Sequence, residues 1–123
     1  MKVAAFTGIL ALVSVVLIQP VFTQATPVTV KGHLVDVMCA THHAEEGAAY
    51  GAKHDKKCLL MDECVKSGYS VLQADKTVLK LDQKGNDLAL ALIKKTDREN
   101  DWRVTLTGTV SNGTIAVSSL ALQ

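Results

Sequence analysis

Trp102-Arg103-Val104-Thr105-Leu106-Thr107, then Ser111-Asn112-Gly113-Thr114, then Ile115-Ala116-Val117, is the stretch from which the fold is read. Trp102, Val104 and Leu106 alternate with polar partners at the period of two that marks a half-buried strand. Asn112-Gly113 is the dipeptide best suited to a two-residue hairpin, because both of its positions tolerate positive φ. A second strand follows through Ile115, Val117, Leu120 and Leu122. Asn112-Gly113-Thr114 also spells a glycosylation acceptor, but the hairpin accounts for the same residues.

Working backwards, Thr96 to Asp101 is a charged loop, preceded by a helix from Leu88 to about Lys95 that Asn86 or Asp87 caps. Lys94 and Lys95 suit the negative end of that helix. Tyr69–Gln73 and Thr77–Leu81 read as two short strands joined at Ala74-Asp75-Lys76, with Asp82-Gln83-Lys84-Gly85 as a turn. Val28, Val30, Leu34, Val35 and Val37 form a first strand in which Gly32 predicts a bulge or a sharp coil, and Asp36, Met38 and Cys39 end it. Between the first and second strands, Ala40 to Asp55 is small and polar, with one helical turn expected at Glu45–Tyr50. Asp55 then caps a helix over Lys56–Ser67 that Gly68 stops. Its inward stripe is Cys58, Met61, Cys64 and Val65.

Five strands, with one helix between strands 1 and 2 and one between strands 3 and 4, predict a mainly β fold: a small five-stranded OB-like barrel with an insertion at about 39–68. The chain of 123 residues opens on Met1-Lys2 and an apolar run from Val3 to Ile18, closed by Gln19-Pro20, and Thr23-Gln24-Ala25 places small residues where a signal peptidase reads. The expectation is a signal peptide over 1–25, cleavage between Ala25 and Thr26, and a single domain of 98 residues over 26–123 that is periplasmic or secreted and keeps no stable membrane anchor. Without Lys2 the domain carries 12 basic and 12 acidic residues, a formal charge of zero. Zero charge, with Tyr50, Tyr69 and Trp102 as the only aromatics of the domain, argues against nucleic-acid binding, which wants a positive groove and stacking rings.

All three cysteines, and three of the four histidines, lie between Cys39 and Cys64. An oxidising compartment favours a disulfide plus one spare thiol. On one regular helix Cys58 and Cys64 would sit about 9 Å apart along the axis and about 120° apart around it, beyond the roughly 7 Å reach of a bridge. Cys39 is then the partner of one of them. Cys64 lies deeper in the apolar stripe, so a Cys39–Cys64 bridge is expected, with Cys58 as the free thiol. The alternative is a transition-metal site, zinc or copper, using Cys39, His54, Cys58 and Cys64, since thiolate and imidazole suit either ion. A thiol-redox protein using Cys58 is the third. His42 and His43 read as solvated loop histidines, and His33 as a surface or packing residue. Neither Cys-x-x-Cys nor Cys-x-x-Cys-His occurs, and nothing marks an oxyanion hole beside a Cys58/His54 pair, so no catalytic residue is expected. The expected role is a non-catalytic binding or interaction module for an unidentified ligand or protein.

At Asp36-x2-Cys39, and at Cys58-Leu59-Leu60-Met61-x2-Cys64-x2-Ser67-Gly68-Tyr69, the chain resembles a group of small exported bacterial proteins of uncharacterised function. The likeness continues through Lys80-Leu81-Asp82 and Thr107-Gly108-Thr109. It implies a bacterial periplasmic or secreted location and an OB-like barrel carrying a three-cysteine insertion, and it supplies no substrate.

Overall fold

The computed structural model describes residues 16–21 and 24–123. Most of the apolar run of the expected signal peptide, and Thr23 of the cleavage triplet, lie outside the described residues. Residues 16–21 and 24–27 have no regular secondary structure. Among the described residues no helix is long and apolar enough to cross a membrane.

Five strands, β1 Val28–Asp36, β2 Tyr69–Leu72, β3 Val78–Leu81, β4 Arg103–Ser111 and β5 Thr114–Leu122, form one mixed sheet. It closes on itself in the order β1-β2-β3-β5-β4. All neighbours are antiparallel except β3 and β5, which run parallel through Lys80↔Thr114 and Leu81↔Ile115. Alternation decides which side chains fill the interior. Leu34, Val71, Val104, Leu106, Ile115 and Val117 meet there with the fully buried Trp102. Asn112 and Gly113, at φ 51° and 74°, make the tight turn between β4 and β5 that their sequence predicted.

Of the bulge or sharp coil expected at Gly32, the bulge is absent. Gly32 pairs in register with Val104, and a Cβ on it would lie 2.6 Å from the Leu72 carbonyl oxygen, so glycine serves the close approach of β1 to β2. The register shift falls instead between Thr107 and Gly108, opposite β5.

α5, Gln83–Lys95, starts earlier than the sequence predicted. Asp82 is its cap: one carboxylate oxygen accepts from Gly85 N at 2.9 Å and from Val117 N at 3.2 Å, tying the helix start to β5. Asn86, one of the two caps expected, instead accepts the Tyr69 amide. Gly85, Ala89 and Ile93, four apart, form the buried stripe.

The insertion between β1 and β2 holds four short helices instead of one: α1 Val37–His43, α2 Gly47–Lys53, α3 Lys56–Leu59 and α4 Asp62–Ser67, with a 3-10 turn at Ala44–Glu46. The helix expected over Lys56–Ser67 breaks at Leu60 and Met61, where Met61 turns extended at ψ 137°. Leu59 and Cys64 are buried, but Met61, expected to face inward, is half exposed. Leu59 of α3 joins the interior cluster, while α1 and α2 lie against the outside of the barrel. Val35 and Leu72, which point away from the interior, pack there with Ala40, Cys39 and Tyr50.

Candidate functional site

β1 ends on Asp36, whose side chain has no accessible surface. Its Oδ2 accepts the Cys39 amide at 2.9 Å, which caps α1, and its Oδ1 accepts from His54 Nε2 at 3.0 Å. His54 is itself buried, at the end of α2, where its amide bonds Tyr50 O and Gly51 O. Burial alone would raise the Asp36 pKa. The His54 bond and the Cys39 N–H outweigh it and hold the carboxyl below the usual range. A paired carboxylate and imidazole at such depth are costly, because each gives up its hydration for the other.

Two cysteines meet this carboxylate. Cys39 comes from α1, one turn beyond Asp36, and Cys64 from α4. α4 is drawn to α1 by the Val37 amide on Gly68 O at 2.8 Å, and by Ser67 Oγ, which donates to Cys64 O and accepts from the Met38 amide. One ligand atom from each of Asp36, Cys39 and Cys64 lies within 4.8 Å of the other two. Among the described residues this is the group with the donor atoms and proximity to hold a metal ion.

All three cysteines are unbonded thiols in the structure. Burial pushes the Cys39 thiol up, with Asp36 adding to it and the Tyr50 hydroxyl partly offsetting it. Burial pushes Cys64 up to about 12, again with the Asp36 charge beside it. Both sulfurs are therefore protonated at neutral pH until something replaces the protons. A cysteine must give up this proton before its sulfur can ligate a cation, which would make any such binding pH-dependent.

Tyr50 borders the group. Its ring stacks on His43, centroids 4.1 Å apart at 7°, and tilts over His54 at 5.4 Å. Burial and its bond to Cys39 raise its pKa strongly. His43, read from sequence as a solvated loop residue, is thus part of this wall at the end of α1 and also bonds Glu46 at 2.6 Å. His42 is exposed. His33 is a packing residue: its ring lies on Gly51, where a Cβ would sit 2.5 Å away, and its Nε2 bonds Asp101 at 2.8 Å.

Of the predicted ligand set Cys39, His54, Cys58 and Cys64, the structure brings together only the two outer cysteines. His54 stands behind Asp36 as its hydrogen-bond partner. Cys58 sits on α3 beside Asp55, which accepts its amide at 2.8 Å, outside the close group. Asp36 is the donor that sequence reading missed. Asp36-x2-Cys39 held the signal, since an aspartate three residues before a cysteine at a strand end is also a helix cap. Comparison with protein-family models, with curated proteins and with solved structures returned no match.

Proposed function

We propose that the protein is an exported, non-catalytic binding module built on an OB-type barrel, and that Asp36, Cys39 and Cys64 form a transition-metal site for zinc or copper. The observation that carries this reading is the convergence of two thiols and one carboxylate within 4.8 Å, with Asp36 and Cys64 buried. A tetrahedral zinc with bonds of about 2.3 Å to sulfur and about 2.1 Å to oxygen sets its ligand atoms roughly 3.6–3.8 Å apart. A contraction of about 1 Å, within reach of side-chain rotation, closes the site. His54 then acts as the outer partner that fixes Asp36, in the manner of the carboxylate–imidazole pairs that orient metal ligands. Cys58 remains a free thiol.

The strand order, the helix between β3 and β4, and the insertion after β1 support the OB-type assignment. The apolar run and Thr23-Gln24-Ala25 support export. A disulfide between Cys39 and Cys64 is the second reading, favoured by the way α1 and α4 present these two sulfurs to each other while Cys58 stands apart.

Native mass spectrometry of the reduced protein with zinc(II), and separately with copper(I), tests the proposal. One bound ion per chain is expected. Cys39→Ser or Cys64→Ser should abolish retention at equimolar metal, and His54→Gln should weaken it about 10–100-fold. If reduced protein binds neither ion, or if Cys58→Ser weakens binding as much as Cys64→Ser, the assignment is wrong.

A further inference from the structure

Metal coordination and disulfide formation make opposite demands on the same two atoms. A metal at this site needs the Cys39 and Cys64 sulfurs roughly 3.8 Å apart and ionised. A disulfide needs them about 2.05 Å apart, with no charge left to donate to a cation. The structure holds them unbonded and within 4.8 Å of each other, on two separate short helices. Drawing α4 toward α1 leads to either state, and each excludes the other.

We infer that the site is redox-gated, releasing its metal when an oxidising disulfide converts Cys39 and Cys64 to cystine and rebinding it when they are reduced. This rests on the metal reading above. With a small-molecule disulfide as oxidant, the two metal-bound thiolates give up two electrons. One new sulfur–sulfur bond forms between Cys39 and Cys64, the oxidant's sulfur–sulfur bond breaks, its two halves leave as thiolates, and the divalent ion departs with its charge unchanged.

Burial assigns the order of the two steps. Cys64 is 2% exposed, whereas Cys39 is only partly buried. The incoming disulfide therefore meets Cys39 first, forms a mixed disulfide there, and Cys64 displaces the second half from inside. Asp36 takes no part in the electron transfer. It holds the ion by charge and geometry, so removing it should lower metal affinity and leave the cysteine pair oxidisable. Cys58 lies outside the close group, and a Cys58→Ser background keeps its thiol from reacting with the probe.

The experiment uses the reduced, zinc-loaded Cys58→Ser chain, with oxidised glutathione as the disulfide and a chromogenic chelator reporting free zinc. One equivalent of zinc and two of reduced glutathione per chain are expected, with Cys39 and Cys64 joined in the peptide map, and a reductant should restore binding. In the same background Cys64→Ser should trap glutathione on Cys39, whereas Cys39→Ser should leave Cys64 unmodified while the fold is intact by circular dichroism. Zinc that stays bound through excess oxidised glutathione overturns the gating and leaves the metal site standing. Zinc release without the Cys39–Cys64 bond, or an adduct on Cys64 in preference to Cys39, overturns it too. Failure of the reduced chain to take up zinc or copper at the outset is a failure of the metal reading itself.

Discussion

Asp36 shows how one side chain links the barrel to the insertion. Its two carboxylate oxygens are divided between the Cys39 amide, which starts α1, and His54 Nε2, which ends α2. Replacing it with alanine leaves His54 Nε2 buried without a partner, and an unsatisfied buried polar group typically costs about 1–3 kcal/mol. We expect Asp36→Ala to lose stability of that order in urea denaturation; a loss under about 1 kcal/mol would mean that His54 finds water. The sign of the pH dependence follows from the lowered pKa. An unfolded aspartate titrates near 3.9, so the stabilisation from Asp36 is present above that pH and is lost as pH falls through the lower folded value. Asp36→Asn should therefore flatten the acid side of a plot of Tm against pH, and an unchanged acid slope would assign acid lability to another carboxyl. Nothing local in the sequence distinguishes this aspartate from Asp55, which caps α3 in the same way and is only half-buried. The difference is made by packing from α2 and α4, and that is a matter of tertiary structure.

At the level of elements, the strands and the α5 region were readable because their signals are local. Alternation placed β4, Asn112-Gly113 placed its hairpin, and a cap residue with Lys94-Lys95 at the far end placed the helix over Leu88–Lys95, though five residues short. The missing residues are Gln83–Asp87, where Gly85 argues against helix by propensity and packing on β5 overrides it. Gly85→Ala separates those two effects. Alanine gains about 1 kcal/mol of intrinsic helix propensity. Its Cβ, however, would lie 2.6 Å from Val117 Cγ2 and 2.9 Å from Leu81 Cβ, and overpacking of this kind costs typically 1–3 kcal/mol. We expect net destabilisation in chemical denaturation, and a stabilised variant would show that α5 can shift away from β5. The break at Leu60 and Met61 was not readable, since neither glycine nor proline marks it. Tyr69 Oη donates to the Leu59 carbonyl at 2.7 Å and satisfies a helix end that the sequence alone would leave open. With the helix broken there, Cys58 sits on α3 and Cys64 on α4, and the close group is Asp36, Cys39 and Cys64 in place of the predicted four.

For the molecule as a whole, the interior and the insertion contribute separately. Val104 is fully buried among the barrel residues, and Val104→Ala should cost about 1–3 kcal/mol; a change below about 0.5 kcal/mol would contradict its place in the core. Oxidising Cys39 to Cys64 closes a loop of about 25 residues, for which chain entropy gives on the order of 3 kcal/mol. In a domain of this size that raises Tm by roughly 10 °C or more. A scan of metal-free protein with and without dithiothreitol reads it directly, and coincident curves would mean that the bridge does not form. Closure of the barrel through β3 and β5 also has a consequence in time. β2 meets β3, and β4 meets β5, across short connections, but the parallel seam rests on two paired positions and on Asp82 Oδ1 holding Val117 N, 35 positions away. Closing so long a loop for so few bonds gains nothing until the flanking hairpins exist, so the seam should zip last and part first. Asp82→Ala should then speed unfolding in stopped-flow experiments and leave the refolding rate nearly unchanged, whereas a proportionate slowing of refolding would put the seam in the nucleus.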